Sequence, residues 1–509
     1  MITKKCLVIL LILYSLTACK KTDLPDTSRD IPPAPSMEIN DPEVLIKNAL
    51  FYISEKKGDI ALDALKAALE KGGDKILVTF LMGRAYQVLK KYDESIKKFN
   101  EALKLGYPAD EVNLYIGAVY VNQKKYDEAL KYFQISERLI AGNAERTRQV
   151  GVVLFLNLGQ LYMKKDNFRL AMNYLERAIS VDTTNYDAFF NAGLAAYKLN
   201  DYNKSIKYLE KAISLKPRML SAYRYLATAY YTKGEKDKSF YIMAKGFVLT
   251  QIHQNIQSAH TELSKIQNIE ANKDALELMI YSKIALNLTD AAEKLIKAGI
   301  QKYPQESAFY IFHGRLKLKT GNAKEALKIA EQSAAKFGSQ FEINILKAEC
   351  YERLNQDDNA IKSYETALKL NPENYTFRYK LADLYRKKKN QLLEYLHQGI
   401  YYTIRGQYEE AKFALDRIPE DFPRKSELNC WKGRIFMDQS VFDVALKHLD
   451  LSIQQDPSYF LPYTFKCFVL FRLGRKSEGL NTLRVFMAQY PQAVGIEEVR
   501  KLFVSFSRF

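Results

Sequence analysis

The chain has 509 residues, of which 47% are apolar and 27% are charged. These proportions exclude a chain that is too polar to bury a core, and the length is ample for a continuous helical one. The formal net charge is +17, an excess that favours acidic partners such as anionic headgroups, acidic proteins or cell-wall polymers. A solvated surface with a slight excess of lysine explains the charge equally well.

The first nineteen residues have the pattern of an export signal. Lys4 and Lys5 precede an apolar run over residues 6–16, which is too short for a comfortable membrane span. Residues 16–19, Leu-Thr-Ala-Cys, resemble the lipobox of bacterial lipoproteins. The resemblance implies a signal peptide over residues 1–18, cleavage before Cys19, and lipidation of Cys19 by a diacylglycerol and a further acyl chain such as palmitate. An ordinary cleaved signal or an uncleaved anchor helix is the alternative.

The segment after Cys19 predicts a tether. Residues 19–40 are polar and contain Pro25, Pro32, Pro33 and Pro35, a composition typical of an extended linker. The lipid anchor would place the protein in the bacterial cell envelope. We expect the outer membrane and the periplasmic face, with exposure at the cell surface as the alternative. Nucleic acid would suit the charge but not this location.

From residue 41 onward, a small residue recurs every 34 positions within blocks of the sequence. A second small residue follows twelve positions after every one of these anchors except Ala382. An aromatic ring commonly lies three positions after the anchor, and proline lies twenty-four positions after it in six units. The anchors are Ala49, Gly83, Gly117, Gly159, Gly193, Ala227, Ile280, Gly314, Ala348, Ala382, Gly399, Gly433 and Cys467.

This pattern resembles the tetratricopeptide repeat (TPR), which implies two helices and a turn in each unit. Two helices cross closely only where both contribute small side chains, and the proline ends the second helix. The expected fold is all-α: a right-handed α-solenoid of about twelve TPR helix-turn-helix units, in one array or in two superhelical lobes.

The period slips at three places. The spacing from Gly117 to Gly159 is 42 residues, and that from Ala382 to Gly399 is 17, which is half a repeat. The third slip, near residue 260, predicts a boundary between two lobes. Apolar residues at helical spacing near the end predict a helix that caps the solenoid. The expected divisions are an N-terminal TPR array over 41–250, a connecting helical segment over 251–273, a C-terminal TPR array over 274–491 and a capping helix over 492–509.

We find no motif for chemistry in the sequence. There is no glycine-rich phosphate loop, no His-Glu-x-x-His and no Gly-x-Ser-x-Gly. The sequence therefore predicts no enzyme, no catalytic residue, no cofactor, no metal and no small-molecule substrate. Cys350, Cys430 and Cys467 are expected to be buried free thiols, although a Cys430–Cys467 disulfide is geometrically conceivable.

In the TPR family the first helices of the units line a concave groove. Asn157 and Asn191 lie two positions before successive anchors. They resemble the asparagine ladder of the O-linked N-acetylglucosamine transferase repeats, whose amides hold the backbone of an extended peptide. Aromatic and cationic residues at neighbouring groove positions suit a partner with apolar side chains and some acid. The predicted partner-binding residues are Asn157, Phe190, Asn191, Tyr197, Lys198, Arg224 and Tyr231.

A second candidate surface lies near the C-terminus, with Trp431, Arg434, Met437, Phe468 and Phe471 at its centre. For Trp431, the only tryptophan, an ordinary core position in its repeat is the favoured interpretation. The sequence thus favours a lipid-anchored envelope scaffold or adaptor that binds protein or peptide partners in its groove during assembly of an envelope complex. The alternative is a surface adhesin that binds acidic host or matrix ligands.

Overall fold

The computed structural model describes residues 41–249 and 253–507. The predicted signal peptide, Cys19 and the tether lie outside these residues. The described chain is all-helical and forms two compact units, the first ending at Leu286 and the second beginning at Asn287. Each unit is built from consecutive helix pairs, and together they confirm the predicted α-solenoid of TPR units.

The described part of the first unit contains fourteen α-helices and one short 3-10 turn over Ile269–Ala271. The helices are α1 (Pro42–Ser54), α2 (Gly58–Glu70), α3 (Lys75–Val88), α4 (Tyr92–Lys104), α5 (Ala109–Asn122), α6 (Tyr126–Ile140), α7 (Ala144–Lys164), α8 (Phe168–Val181), α9 (Tyr186–Lys198), α10 (Tyr202–Leu215), α11 (Leu220–Thr232), α12 (Lys236–Leu249), α13 (His253–Leu263) and α14 (Lys273–Ala285).

The described part of the second unit contains thirteen α-helices. They are α15 (Thr289–Lys302), α16 (Ser307–Lys319), α17 (Ala323–Phe337), α18 (Phe341–Arg353), α19 (Asp357–Leu370), α20 (Tyr375–Lys387), α21 (Gln391–Ile404), α22 (Tyr408–Leu415), α23 (Lys425–Asp438), α24 (Phe442–Gln455), α25 (Leu461–Arg472), α26 (Lys476–Gln489) and α27 (Ile496–Phe506).

The anchor residues lie where the two helices of a pair cross. A Cβ atom added to Gly159 would lie 2.6 Å from Cγ of Leu175, and one added to Gly193 would lie 2.6 Å from Cγ of Leu209. The small residue twelve positions later completes the crossing. At two crossings it is a serine whose hydroxyl donates to the carbonyl of the anchor, from Ser95 to Gly83 at 2.7 Å and from Ser205 to Gly193 at 2.9 Å. Close approach therefore explains both small positions of the repeat.

A left-handed residue ends the first helix of every pair. It lies seven positions after each of the thirteen anchors, with φ between 55° and 91°. Such a residue turns the chain sharply after a helix, so that the second helix can pack back on the first. Glycine occupies the position in only four pairs, and lysine in four others. These residues are Lys56, Lys90, Lys124, Asp166, Asn200, Gly234, Asn287, Gly321, Asn355, Lys389, Gly406, Ser440 and Gly474.

The phase slips have simple structural causes. The additional residues before Gly159 lengthen α7 to 21 residues, whereas the other first helices have 12–14. At the half repeat, α21 packs against both α20 and α22. It is therefore the second helix of one pair and the first helix of the next. The segment near residue 260 forms α13 and the 3-10 turn.

Candidate functional site

Three successive first helices of the first unit, α7, α9 and α11, present polar and aromatic side chains to solvent. Two ring and hydroxyl contacts join α9 to α11. The centroid of the Phe190 ring lies 5.8 Å from that of Tyr225, and the Tyr197 hydroxyl lies 3.3 Å from Oγ1 of Thr232. We call the solvent-facing side chains of these three helices the first-unit face. Its predicted residues on α9 and α11 are therefore parts of one continuous surface.

The two predicted asparagines are half-buried on this face. Nδ2 of Asn157 donates to the carbonyl of Val153 at 2.8 Å, and Nδ2 of Asn191 donates to the carbonyl of Asp187 at 2.7 Å. Each bond reaches back one turn of its own helix and fixes the orientation of the amide. An amide carries two N–H donors and a carbonyl acceptor, so each side chain keeps further capacity for a peptide backbone.

The cationic residues of the face differ in their surroundings. Arg224 is exposed on α11. Lys198 is exposed at the end of α9, with its Nζ 6.0 Å from the centre of the Phe168 ring. Tyr231 is 50% exposed, and Nζ of Lys236 lies 5.8 Å from the centre of its ring. The face thus combines accessible rings with accessible positive charge.

Tyr225 is the functional candidate that the sequence analysis left out. It lies two positions before the anchor Ala227, where a third asparagine would extend the ladder, and it is 42% exposed. Its ring packs edge-on against Phe190. The sequence signal that could have identified Tyr225 is an aromatic residue at a groove position. The residue does not continue the asparagine pattern of the two preceding repeats. Along α7, α9 and α11, this repeat position therefore holds the amides of Asn157 and Asn191 and then the ring of Tyr225.

The residue at the same repeat position is buried in most first helices of the second unit. The residue two positions before the anchor is half-buried in only one first helix there, α20, where Lys380 pairs with Glu352 at 3.0 Å. In the other five it is 0–3% exposed. Those five residues are Phe312, Leu346, His397, Trp431 and Phe465. At this one repeat position, most side chains of the second unit thus belong to the protein's own core.

The second candidate surface is not an open binding face. Trp431 is fully buried, as expected for a core residue. Arg434 donates to Asp438 and to Glu373, at 2.8 Å and 2.7 Å. The ring of Phe506 on α27 lies 4.1 Å from that of Phe471. Within the described chain, these residues therefore have intramolecular partners.

A buried polar network lies at the half repeat. Nη1 of Arg378 donates to Oε1 of Glu427 at 2.8 Å and lies 3.2 Å from Nδ1 of His397. Arg424 donates to Oε2 of Glu427 at 3.0 Å and to Oε1 of Glu365 at 2.6 Å. Because arginine only donates, Nδ1 of His397 accepts and its proton is on Nε2. The network joins α19, α20, α21 and α23.

Burial and the neighbouring arginines together determine the protonation states of Glu427 and His397. Burial opposes ionisation of Glu427, but Arg424 and Arg378 outweigh it and lower the pKa of its carboxyl to about 2. Burial and the Arg378 guanidinium hold the pKa of His397 well below its ordinary value. Glu427 is therefore ionised and His397 neutral near neutral pH. The carboxylate of Glu427 and the guanidinium groups of Arg378 and Arg424 satisfy one another, which suits a structural role, whereas Nε2 of His397 is buried without a hydrogen-bond partner.

The three cysteines of the repeat region are not reactive thiols. Cys350, Cys430 and Cys467 are free and buried, as predicted. Burial raises the pKa of the Cys350 and Cys467 thiols to about 12, so they remain protonated. No group of metal-binding side chains occurs within the two described ranges. Nor does any helix there have the length and apolarity to cross a membrane.

Family models match four segments of the chain. A model described as "TPR repeat" matches residues 351–389, and two described as "Tetratricopeptide repeat" match 153–185, 186–219 and 80–144. The matches fall in both units, and the same helix pairs continue beyond them. Both units therefore contain tetratricopeptide repeats. Its repeats support a scaffold that binds protein or peptide partners.

Several solved structures resemble parts of the chain. The crystal structure of MamA is 23% identical and covers 35% of this chain and 97% of that chain, with a TM-score of 0.30. YrrB, described as a TPR protein with an unusual peptide-binding site, is 23% identical over 38% and 93%, with a TM-score of 0.26. The C-terminal part of a TPR repeat-containing protein from Cytophaga hutchinsonii is 18% identical over 52% and 98%, with a TM-score of 0.33. The comparison with curated proteins found no match.

Proposed function

We propose that the protein is a scaffold that binds an extended peptide segment of a partner along the first-unit face. The observation that carries this proposal is the accessibility of one repeat position. Two residues before the anchor, Asn157 and Asn191 are half-buried and Tyr225 is exposed in three consecutive first helices, whereas most of their counterparts in the second unit are buried. Three adjacent positions that are at least partly accessible provide a continuous row for a peptide.

The chemistry of the row suggests the chemistry of the partner. Asn157 and Asn191 would bond the peptide backbone, since an amide both donates and accepts regardless of the peptide's sequence. Phe190, Tyr197 and Tyr231 would pack its apolar side chains, because rings supply contact area at little cost in conformational entropy. Arg224 and Lys198 would attract an acidic side chain. The expected ligand is an extended segment with alternating apolar and acidic residues.

The amide part of the proposal is tested with the double variant Asn157→Ala/Asn191→Ala. Removing the amides leaves peptide backbone groups unpaired, and we expect binding to weaken by roughly 2–4 kcal/mol. The matched control is Asn113→Ala on α5, because Asn113 makes the same bond one turn back, to Ala109 at 2.6 Å. Asn113 lies four positions before its anchor, so it is on another side of its helix.

The measurement is quantitative capture of partners from envelope extract by the tagged full-length chain. The control variant should recover the wild-type partners in full, and the double variant should lose them at unchanged helical content. Arg224→Glu should act in the same way, with Arg169→Glu on the exposed surface of α8 as its charge control. Equal capture by the double variant and the wild type would remove the amide row from the proposal.

The lipid anchor and the location are separate proposals. They rest on the lipobox-like sequence ending in Cys19, which predicts acylation and membrane attachment through more than one chain. The expected role is in the assembly of an envelope complex from the periplasmic side. Mass spectrometry of the mature amino terminus should find acylated Cys19, and Cys19→Ala should release the chain from membranes or stall its processing. Protease added to intact cells should leave a periplasmic scaffold intact but degrade a surface adhesin.

A further inference from the structure

The exposure of one repeat position, two residues after the anchor, shows that no helix of the described chain covers the start of the first unit. In eleven of the thirteen first helices, the residue two positions after the anchor is 0–1% exposed. In α1 the corresponding residue, Phe51, is 59% exposed. These eleven buried residues are Ala85, Val119, Leu161, Ala195, Ala229, Ser282, Leu316, Cys350, Leu384, Ile435 and Val469.

The position is buried because the preceding helix pair covers it. A Cβ atom added to Gly58, at the start of α2, would lie only 2.9 Å from the carbonyl oxygen of Ala85 on α3. Tyr401, at the half repeat, is the other exception, and its ring lies 5.4 Å from that of Tyr379. No helix of the described residues precedes α1. Phe51 therefore occupies a helix-packing position that has no packed helix within the described chain.

The sequence before α1 does not predict a helix that would fill this position. Prolines at positions 25, 32, 33, 35 and 42 leave no stretch longer than six residues without proline between Cys19 and α1. Proline interrupts helices, and a helix this short is not stable by itself. A solenoid nevertheless requires its terminal apolar face to be covered. A helix of a second chain can supply the covering element.

We propose that α1 of one copy packs antiparallel against α1 of a second copy of this protein. Val44, Asn48 and Phe51 are spaced i, i+4 and i+7, so they share one side of the helix. A two-fold axis near Asn48 would bring the two amides together, and each can donate to and accept from the other. It would also place Phe51 against the partner helix near Val44. The face is thus complementary to itself.

The charges at the two ends of α1 favour the same arrangement. Asp41 and Glu43 give its start a charge of −2, whereas Glu55, Lys56 and Lys57 give its end a net charge of +1, and all five residues are exposed. Antiparallel pairing places the acidic start of each helix beside the basic end of the other. Such surface charge pairs add little affinity, but they select the antiparallel orientation.

The other end of the array differs, which limits the assembly to two copies. Val499 of α27 is fully buried, and Phe506 lies 4.1 Å from Phe471 and 5.2 Å from Phe468, measured between ring centroids. The last repeat is thus covered by the chain's own capping helix. With one open end among the residues that the structure describes, a two-fold contact closes the assembly, whereas two open ends would allow filaments. This inference does not depend on the first-unit face binding a peptide.

The test is disulfide cross-linking of the full-length chain in its native membranes. Asn48→Cys should give a cross-linked dimer under mild oxidation, because residues at a two-fold axis face their own copies. The wild type is the background control, since Cys350, Cys430 and Cys467 are buried. Asp63→Cys is the position control, because Asp63 lies on α2 with its side chain 78% exposed.

A second substitution separates specific pairing from random collision. Phe51→Glu in the Asn48→Cys background should reduce the cross-linked dimer at least about tenfold, because a buried, unpaired carboxylate opposes the contact. The exposed Phe51 makes few contacts within one copy, so the helical content should not change. Absence of the Asn48→Cys dimer, equal cross-linking by Asp63→Cys, or persistence of the dimer with Phe51→Glu would each overturn the proposal.

Discussion

At the residue scale, the network around Glu427 is the clearest case of side chains that depend on one another. Glu427 lies between Arg378 and Arg424, and Arg378 also contacts His397. The guanidinium of Arg378 lies 5.9 Å from the centre of the Trp431 ring. Since the protein has only one tryptophan, its fluorescence reports on this part of the second unit.

We predict that Glu427→Gln destabilises the second unit by about 3 kcal/mol near neutral pH, because it leaves the buried guanidinium of Arg378 and the half-buried guanidinium of Arg424 without their shared carboxylate. The measurement is urea unfolding followed by the fluorescence of Trp431. Glu497→Gln is the control, because its partner Arg500 lies on the surface of the same α27 turn. An unfolding midpoint of Glu427→Gln equal to that of the control would show that the network contributes nothing to stability.

The pKa shifts also fix the direction of the pH dependence. The pKa of Glu427 is about 2 when folded, below its ordinary 4.5, so its stabilisation is complete above about pH 4.5 and is lost as the pH falls toward 2. The pKa of His397 is below its ordinary 6.5, so stability also declines as the pH falls below about 6.5. The difference between wild type and Glu427→Gln should therefore shrink in acid. An unchanged difference at about pH 3 would contradict this assignment.

Sequence reasoning could not predict this network, for a physical reason. Its members come from residues 365–427 and meet only because α21 belongs to two helix pairs at once. The spacing of 17 residues predicted half a repeat, but not which charges would become buried there. The identity of a residue such as Arg378 does not reveal whether its side chain lies on a solvated face or in the core. Their partners are set by packing.

At the element scale, the residue that ends each first helix is the periodic feature that the sequence analysis did not use. The position is left-handed in all thirteen pairs, yet its identity varies among lysine, asparagine, aspartate, serine and glycine. The anchors could be recognised in the sequence because small side chains fit the helix crossing best. The turn position could not be recognised, because several residue types adopt the left-handed conformation at a moderate energetic cost.

We predict opposite effects of two substitutions at this position. Gly234 has φ of 91° and open space around it, so Gly234→Ala should destabilise the array by about 1 kcal/mol through backbone strain alone. Lys124 has φ of 61°, and Lys124→Gly should relieve comparable strain and leave the array equally or more stable. Circular dichroism during urea unfolding measures both. A stabilising Gly234→Ala would show that the turn is not under conformational strain.

At the scale of the whole molecule, the sequence predicted the fold well and the site less well. The 34-residue period predicted the helix pairs and the half repeat, and the three cysteines of the repeat region were correctly expected to be buried thiols. It also placed Asn157, Asn191 and Arg224 on accessible helix faces. It did not distinguish the open first-unit face from the largely filled groove positions of the second unit. That distinction depends on how closely neighbouring helices approach, and thus on many side chains together.

The central claim is that a peptide of a partner lies along the first-unit face, and photo-cross-linking in the native envelope tests it most directly. A photo-reactive phenylalanine analogue would replace Tyr225 on that face, Lys380 at its half-buried counterpart in the second unit, and Phe413, which is 63% exposed on the second helix α22. The account predicts one discrete partner cross-linked from Tyr225, and neither Lys380 nor Phe413 giving that product. Equal cross-linking of the same partner from all three positions, or from Lys380 alone, would contradict it.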